Sequence, residues 1–276
     1  LKEQDLHKPV ASSYHTITEA PGMKATREQL ARIYHRYRFA YEYAHDAVVL
    51  EAACGSGIGL GYLARTAQRV VGGDIDEVNL SVAREIYKYQ CDDSPVRVRP
   101  EIVWLDAQEL SFPDATFDLV LLFEAIYYLE KPERFVAGAR RILKKNGRLI
   151  VGTVNKDWKD FHPSPYTHRY FSVPELDGLL RRDFSCVTMY GAFPIPPPGP
   201  LQRMISLIKR TAVRLDLIPG SLAARAYLKR LFLGPLEALP SQLEEGMTSY
   251  VPPVAIPDSR PNSDYKIIYA VATGDR

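Results

Sequence analysis

Four glycines at alternate positions, Gly55, Gly57, Gly59 and Gly61, follow an apolar run that ends in an acidic residue, Val48-Val49-Leu50-Glu51. Glycine tolerates positive φ and lets a ligand approach the backbone closely, so a strand that breaks into such a turn can hold a small molecule. Two more carboxylates end other apolar stretches: Asp74 after Arg69-Val70-Val71-Gly72-Gly73, and Asp106 after Ile102-Val103-Trp104-Leu105. A carboxylate at a strand tip can accept a forked pair of hydroxyl donors. The candidates for proton transfer lie elsewhere. His162 and His168 sit in the proline-containing stretch from Asn155 to Ser172 with Tyr166, Arg169 and Tyr170, and histidine is the natural base for a hydroxyl near neutral pH. Connections this long are disproportionately functional. Either these histidines serve as base, with Tyr166 and Tyr127 shaping a pocket, or they only hydrogen-bond within a rigid loop.

The elements that must position these groups alternate between strands and helices. Val48–Glu51 reads as a buried strand, and Leu60, Leu63, Ala64 and Ala67 recur at helical spacing after the glycine turn. Asp76 either holds ligand or caps the next helix, and capping is the reading adopted, with Val78, Val82 and Ile86 spaced for burial. Phe117-Asp118-Leu119-Val120-Leu121-Leu122-Phe123 is continuously apolar enough for a strand buried on both faces. It delivers Glu124-Ala125-Ile126-Tyr127-Tyr128-Leu129 to the carboxyl end, where open α/β sheets bind ligands. A helix from Pro132 through Leu143 is stopped by Lys144-Lys145-Asn146-Gly147, and Gly147–Val154 forms the next strand. Upstream, Thr26 caps a helix carrying Leu30, Ile33, Tyr34 and Tyr37. Its His35-Arg36-Tyr37-Arg38 stretch is read as packing with solvated arginines, against the alternative of a lid touching the ligand.

Composition narrows the class. The chain has 276 residues and a net charge of +2, which gives no global nucleic-acid signature. Cys54, Cys91 and Cys186 show no zinc spacing or disulfide framework, and no metal site is expected. The first residues lack an apolar signal core and no apolar run reaches the length of a membrane span. A cytoplasmic protein is expected, at most peripheral at the inner membrane face.

In order, these motifs resemble the class I S-adenosylmethionine-dependent methyltransferases. The glycine loop fits E/D-x-x-x-G-x-G-x-G, whereas the dinucleotide fingerprint needs glycine where Leu60 stands, which disfavours a nicotinamide or flavin site. The resemblance runs from Thr26 to about Val154. It implies a doubly wound, seven-stranded Rossmann-like α/β sheet with an antiparallel last strand, and S-adenosylmethionine as cofactor. It also implies that Glu51, Ala53, Gly55, Gly57 and Phe123 line the cofactor site and that Asp74 holds the ribose. Ile75 would flank adenine, with Asp106 and Ala107 meeting its amino group and ring nitrogen. More loosely, the 155–176 region is similar to methyltransferases of polysaccharide assembly. The expected reaction is O-methylation of a sugar, lipid-linked or natural-product hydroxyl. The alternatives are C-methylation of a quinone-like ring and a silent cofactor-binding scaffold.

Three segments follow: an irregular arm over 1–25, the methyltransferase domain over 26–193 and 263–276, and an insertion over 194–262. The insertion opens on Pro194-Ile195-Pro196-Pro197-Pro198-Gly199-Pro200 and continues at helical spacing over 201–215 and 221–233. Between 201 and 234 seven Lys/Arg face one acid, Asp216. A basic helical pair of this kind suits a lid, a homodimer contact or an anionic membrane surface.

Overall fold

The computed structural model describes residues 14–15, 17–88, 96–164, 166–195 and 236–274. The short strand Lys24–Thr26 (β1) leads directly into the helix Arg27–Ala44 (α1). Thr26 Oγ1 accepts from the Gln29 N–H at 3.1 Å while Gln29 Oε1 accepts from the Thr26 N–H at 2.9 Å, so two otherwise orphaned donors are satisfied reciprocally. The chain then alternates through Val48–Ala52 (β2), Leu60–Leu63 (α2), Arg69–Asp74 (β3), Glu77–Ile86 (α3), Glu101–Trp104 (β4) and Phe117–Phe123 (β5). Pro132–Ile142 (α4), Leu143–Val154 (β6), Val173–Leu180 (α5) and Cys186–Pro194 (β7) follow. Leu236–Ala238 (β8), Val254–Ala255 (β9) and Tyr265–Thr273 (β10) complete the order.

The main sheet runs β4-β3-β2-β5-β6-β10-β7-β9. The pairs β3–β4, β2–β3, β2–β5 and β5–β6 are parallel, and β10 is antiparallel to both β6 and β7. The doubly wound sheet with its reversed final strand is therefore present, extended at one edge by β9, a two-residue eighth strand. One apolar layer packs α1, the glycine turn and part of α3 on the sheet, around Ile33, Tyr37, Leu60 and Leu63. The opposite layer packs α4 and α5, around Phe135, Val136, Ile142, Leu176 and Leu180. No described helix is long and apolar enough to cross a membrane.

Three local expectations are corrected. Helix α4 ends at Ile142 and β6 begins at once with Leu143, so no glycine stop separates them; the positive φ, 65°, falls on Asn146 within β6 and not on Gly147, where a Cβ would lie 3.0 Å from the Lys144 carbonyl oxygen. Helix α2 has only four residues, although Leu60, Leu63, Ala64 and Ala67 are all fully buried. Helix α3 buries Asn79, Leu80 and Ala83, while Val78 is 50% exposed. There Asp76 caps the helix as expected, and Asn79 turns inward because its Nδ2 donates to Thr18 Oγ1 at 3.0 Å. The described part of the insertion is strand and loop: β8 pairs with β1, and β9 with β7. The basic helical stretches expected over 201–234 lie outside the described residues, as do Cys91 and positions 1–13.

Candidate functional site

The carboxyl ends of β2, β3, β4 and β5 open together onto one cavity of about 310 Å³. Past the end of β2, Ala53, Gly55 and Gly57 hold φ of 58°, 56° and 75°. An alanine in this region pays a steric cost that glycine avoids, and such strain clusters at ligand sites. The loop is tied to β3 at two points. The Cys54 N–H donates to the Gly73 carbonyl at 2.9 Å and the Gly55 N–H to Asp74 Oδ2 at 2.8 Å. Tyr87 secures the far side, its hydroxyl donating to the Gly57 carbonyl at 2.7 Å.

Glu51, Ala53, Gly55 and Asp74 line the cavity, and so do Ile75, Asp106, Ala107 and Phe123. Gly57 lies behind the loop and does not line it. Tyr37 Oη donates to Glu51 Oε1 at 2.7 Å, whereas Glu51 Oε2 is buried with no partner among the described residues. Burial pushes the Glu51 carboxyl up to about 7, against the pull of the Tyr37 hydrogen bond and the Arg36 charge. Asp74 is buried and raised by desolvation; the N–H groups of Asp76 and Gly55 oppose that rise. The Asn79 amide also hydrogen-bonds this carboxylate, which leaves part of its acceptor capacity for a ligand. Asp106 Oδ1 accepts from the Gln108 N–H at 2.8 Å and closes a turn.

This half of the cavity suits S-adenosylmethionine on its own chemistry. A buried carboxylate oxygen without a donor matches an ammonium or sulfonium cation. Carboxylates at the ends of two neighbouring strands match ribose hydroxyls and an adenine amine. The loop's glycines admit the chain's own side chains to the site, Thr18 against Gly55 and Tyr37 against Gly59.

The N-terminal segment supplies a wall that the sequence did not announce. Ser56 Oγ donates to the Glu19 carbonyl at 2.8 Å, the His15 N–H to Asp76 Oδ2 at 2.8 Å, and Arg36 Nη2 to Glu19 Oε2 at 2.5 Å. Tyr14, Ile17, Thr18 and Glu19 thereby line the cavity, and Thr18 Cγ2 lies only 2.6 Å from where a Cβ on Gly55 would sit. The only signal for this strap was a few polar residues without periodicity.

The remaining half of the cavity is lined by Arg32, Arg36 and Tyr37 of α1, by Glu124, Tyr127 and Tyr128, and by Gly152 and Tyr269. Arg36 is 8% exposed, so the expectation of solvated arginines fails for it: Glu19 and the cavity draw it inward. Glu124 directly follows β5 with φ 50°, and Tyr127 Oη donates to its Oε2 at 3.0 Å. A non-glycine residue there costs about 1–3 kcal/mol. Burial pushes the Glu124 carboxyl above the ordinary range, with Arg36 pulling it down. Behind Tyr269, His35 Nε2 lies 2.7 Å from the Val251 carbonyl. That nitrogen must carry the proton, so Nδ1, 3.1 Å from Tyr269 Oη, accepts from the tyrosine.

The expected bases are not brought to this site. His162 and His168 are exposed, Tyr166 is 48% exposed, and none of the three lines the cavity. Their loop backs the wall instead. The His168 N–H donates to the Tyr127 carbonyl at 2.8 Å, and the rings of Tyr170 and Tyr127 lie 4.9 Å apart. Backbone and Tyr170 contacts set the loop's course, which leaves both imidazoles outside.

Residues 50–151 match the family described as the methyltransferase domain. With the sheet order, the glycine loop and the strand-end carboxylates, this segment is a class I S-adenosylmethionine-dependent methyltransferase domain, and S-adenosylmethionine is its cofactor. A probable S-adenosylmethionine-dependent methyltransferase of Mycobacterium tuberculosis H37Rv is 33% identical over 52% of this chain and 51% of its own. A ubiquinone biosynthesis O-methyltransferase of Bartonella quintana is 28% identical over 48% of this chain and 51% of its own. The chain thus spans about half the length of the curated relatives it matches. Among solved structures, the YcgJ protein of Bacillus subtilis superposes with a TM-score of 0.54 at 16% identity, over 88% of this chain and 99% of that one, a likeness of fold.

Proposed function

We propose that the chain transfers the methyl group of S-adenosylmethionine to a hydroxyl oxygen on a sugar, lipid-linked or natural-product acceptor. One observation carries this reading: the residues that suit the cofactor and an aromatic wall free for an acceptor line a single cavity, with Phe123 and Glu124 both in its lining. The cofactor supplies an electrophilic methyl carbon on a sulfonium, open to in-line attack. The chain's own work is then alignment, exclusion of water and proton removal. Glu51 offers an unpaired buried oxygen to the cation, and Asp74 and Asp106 offer acceptors to the adenosine. The Tyr14–Glu19 strap shields the loop.

The acceptor wall is aromatic: Tyr127 and Tyr128 lie 4.5 Å apart in an edge arrangement, and Tyr14 packs on Tyr128 at 5.6 Å. Such a wall suits a ring-shaped acceptor. It also supports the second reading, C-methylation of a quinone-like ring, and a demethylmenaquinone methyltransferase of Tropheryma whipplei, 29% identical over 49% of this chain, belongs with that ring chemistry.

Calorimetric titration with S-adenosylmethionine and S-adenosylhomocysteine should show binding of both. Tritiated-methyl transfer to glycosides, lipid-linked sugars and quinols should then place the label on oxygen. Label on a ring carbon would move the conclusion to the second reading. Cofactor binding with no acceptor labelled would leave a silent scaffold, and a protein that ignores both ligands but takes a nicotinamide or flavin would sink the proposal.

A further inference from the structure

Glu124 lines the cavity directly after Phe123, the last residue of β5, and four residues before Tyr128, and both of those neighbours line the same cavity. Its left-handed backbone takes the chain out of β5 at that point. Tyr127 Oη occupies one carboxylate oxygen, Oε2, and no described residue donates to Oε1. The charged and titratable groups around it are Glu19 of the strap, Arg32 and Arg36 of α1, Tyr127, Tyr128, and Tyr269 of β10.

The other lining groups are poor bases. Burial raises the phenols of Tyr127, Tyr128 and Tyr269, so they keep their protons. Glu19 is held by Arg36, and Asp74 by two backbone N–H groups and Asn79. Glu51 has a free oxygen, but on the reading above that oxygen faces the cofactor's cation, not the acceptor. Asp106 closes its own turn by accepting from Gln108.

We propose that Glu124 is the general base of the transfer, its Oε1 taking the acceptor's hydroxyl proton as the oxygen attacks. This rests on the methyl-transfer reading above. The O–H bond breaks and its proton passes to the carboxylate. The oxygen lone pair forms the O–CH₃ bond, and the C–S bonding pair stays on sulfur, so charge and atoms balance without a further reactant. A carboxyl raised by burial and restrained by Arg36 is suited to take a proton near neutral pH. The exposed histidines have no part in this step.

The test joins a measurement that needs no turnover to one that does. With S-adenosylhomocysteine bound, glutamate carboxyl carbons labelled with ¹³C are titrated, and the Glu124 signal is assigned by its loss in Glu124→Gln. The expected signal titrates above an ordinary glutamate and shifts when phenol is added. With tritiated cofactor, transfer to phenol should fall by about 100-fold or more in Glu124→Gln and partly recover in Glu124→Asp. Transfer to 4-nitrophenol, already ionised at pH 8, should fall by less than about 5-fold. Equal losses on both phenols, or a carboxyl indifferent to phenol, would overturn the base role and leave methyl transfer standing. A wild type that binds cofactor and labels no hydroxyl probe would overturn the hydroxyl reading and the base with it.

Discussion

The two halves of the cavity are built in different ways. In the cofactor half, Glu51, Asp74 and Asp106 sit at or just beyond the ends of β2, β3 and β4, three adjacent parallel strands. The acceptor half draws its lining from α1, the tip of β5, β6 and β10, and the N-terminal strap borders both halves through Thr18 at Gly55 and Tyr14 at Tyr128. On the proposed reading, a local construction serves the constant ligand and a non-local one the variable ligand. Substitutions should therefore separate binding from transfer.

The largest effect is expected at the glycine loop. Gly55→Val combines a positive φ with a collision against Thr18; S-adenosylhomocysteine affinity should fall by roughly 1,000-fold or more in calorimetry, with circular dichroism still native. Retained affinity would mean that the strap and loop do not define the cofactor half.

A pH series sharpens the same half. Glu51 is raised to about 7, so below that pH the free protein holds a proton that must leave before the carboxylate can pair with a cation. Affinity for S-adenosylmethionine should weaken as pH falls below 7, by up to about tenfold per unit, and level off above it. Glu51→Gln should flatten that profile; a wild-type curve already flat from pH 5.5 to 8 would remove Glu51 from cation binding.

Smaller effects test what lies outside the cavity. Replacing both His162 and His168 by alanine should leave methyl transfer within about threefold, because neither ring reaches the lining. Loss of turnover in that double variant would restore them as candidates. Smallest of all, Thr26→Ala removes the α1 capping box and should cost about 1 kcal/mol, read as a melting temperature lowered by a few degrees with unchanged cofactor affinity.

The same division decides how much was legible in the sequence. The strands β2, β3, β5 and β6 announce themselves as apolar runs, and each carboxylate of the cofactor half stands just beyond its own run. That half is a string of local signals. Arg36 gave no comparable sign, since a lone arginine on an amphipathic helix reads as solvated until Glu19, distant along α1's approach, is brought beside it. The strap of Tyr14, Ile17, Thr18 and Glu19 lacks periodicity altogether. Glu124 did leave a trace: an acidic residue set directly after a fully buried strand, at the end where ligands bind. Histidine's ordinary pKa drew attention to His162 and His168 instead, and only tertiary burial makes a glutamate the better base. The positive φ at Asn146, inside β6, shows the same limit at small scale, because the neighbouring Gly147 is the more obvious candidate for it.

The most direct test compares S-adenosylhomocysteine binding to Asp74→Ala and Glu124→Gln by calorimetry, with melting temperatures confirming that both fold. Two halves with separate tasks predict about 100-fold weaker binding for Asp74→Ala, from lost charge-assisted hydrogen bonds, and binding within about threefold of wild type for Glu124→Gln, whose charge lies beyond the adenosine carboxylates. Unchanged affinity in Asp74→Ala, or an equal loss in Glu124→Gln, would contradict the division on which the functional account stands.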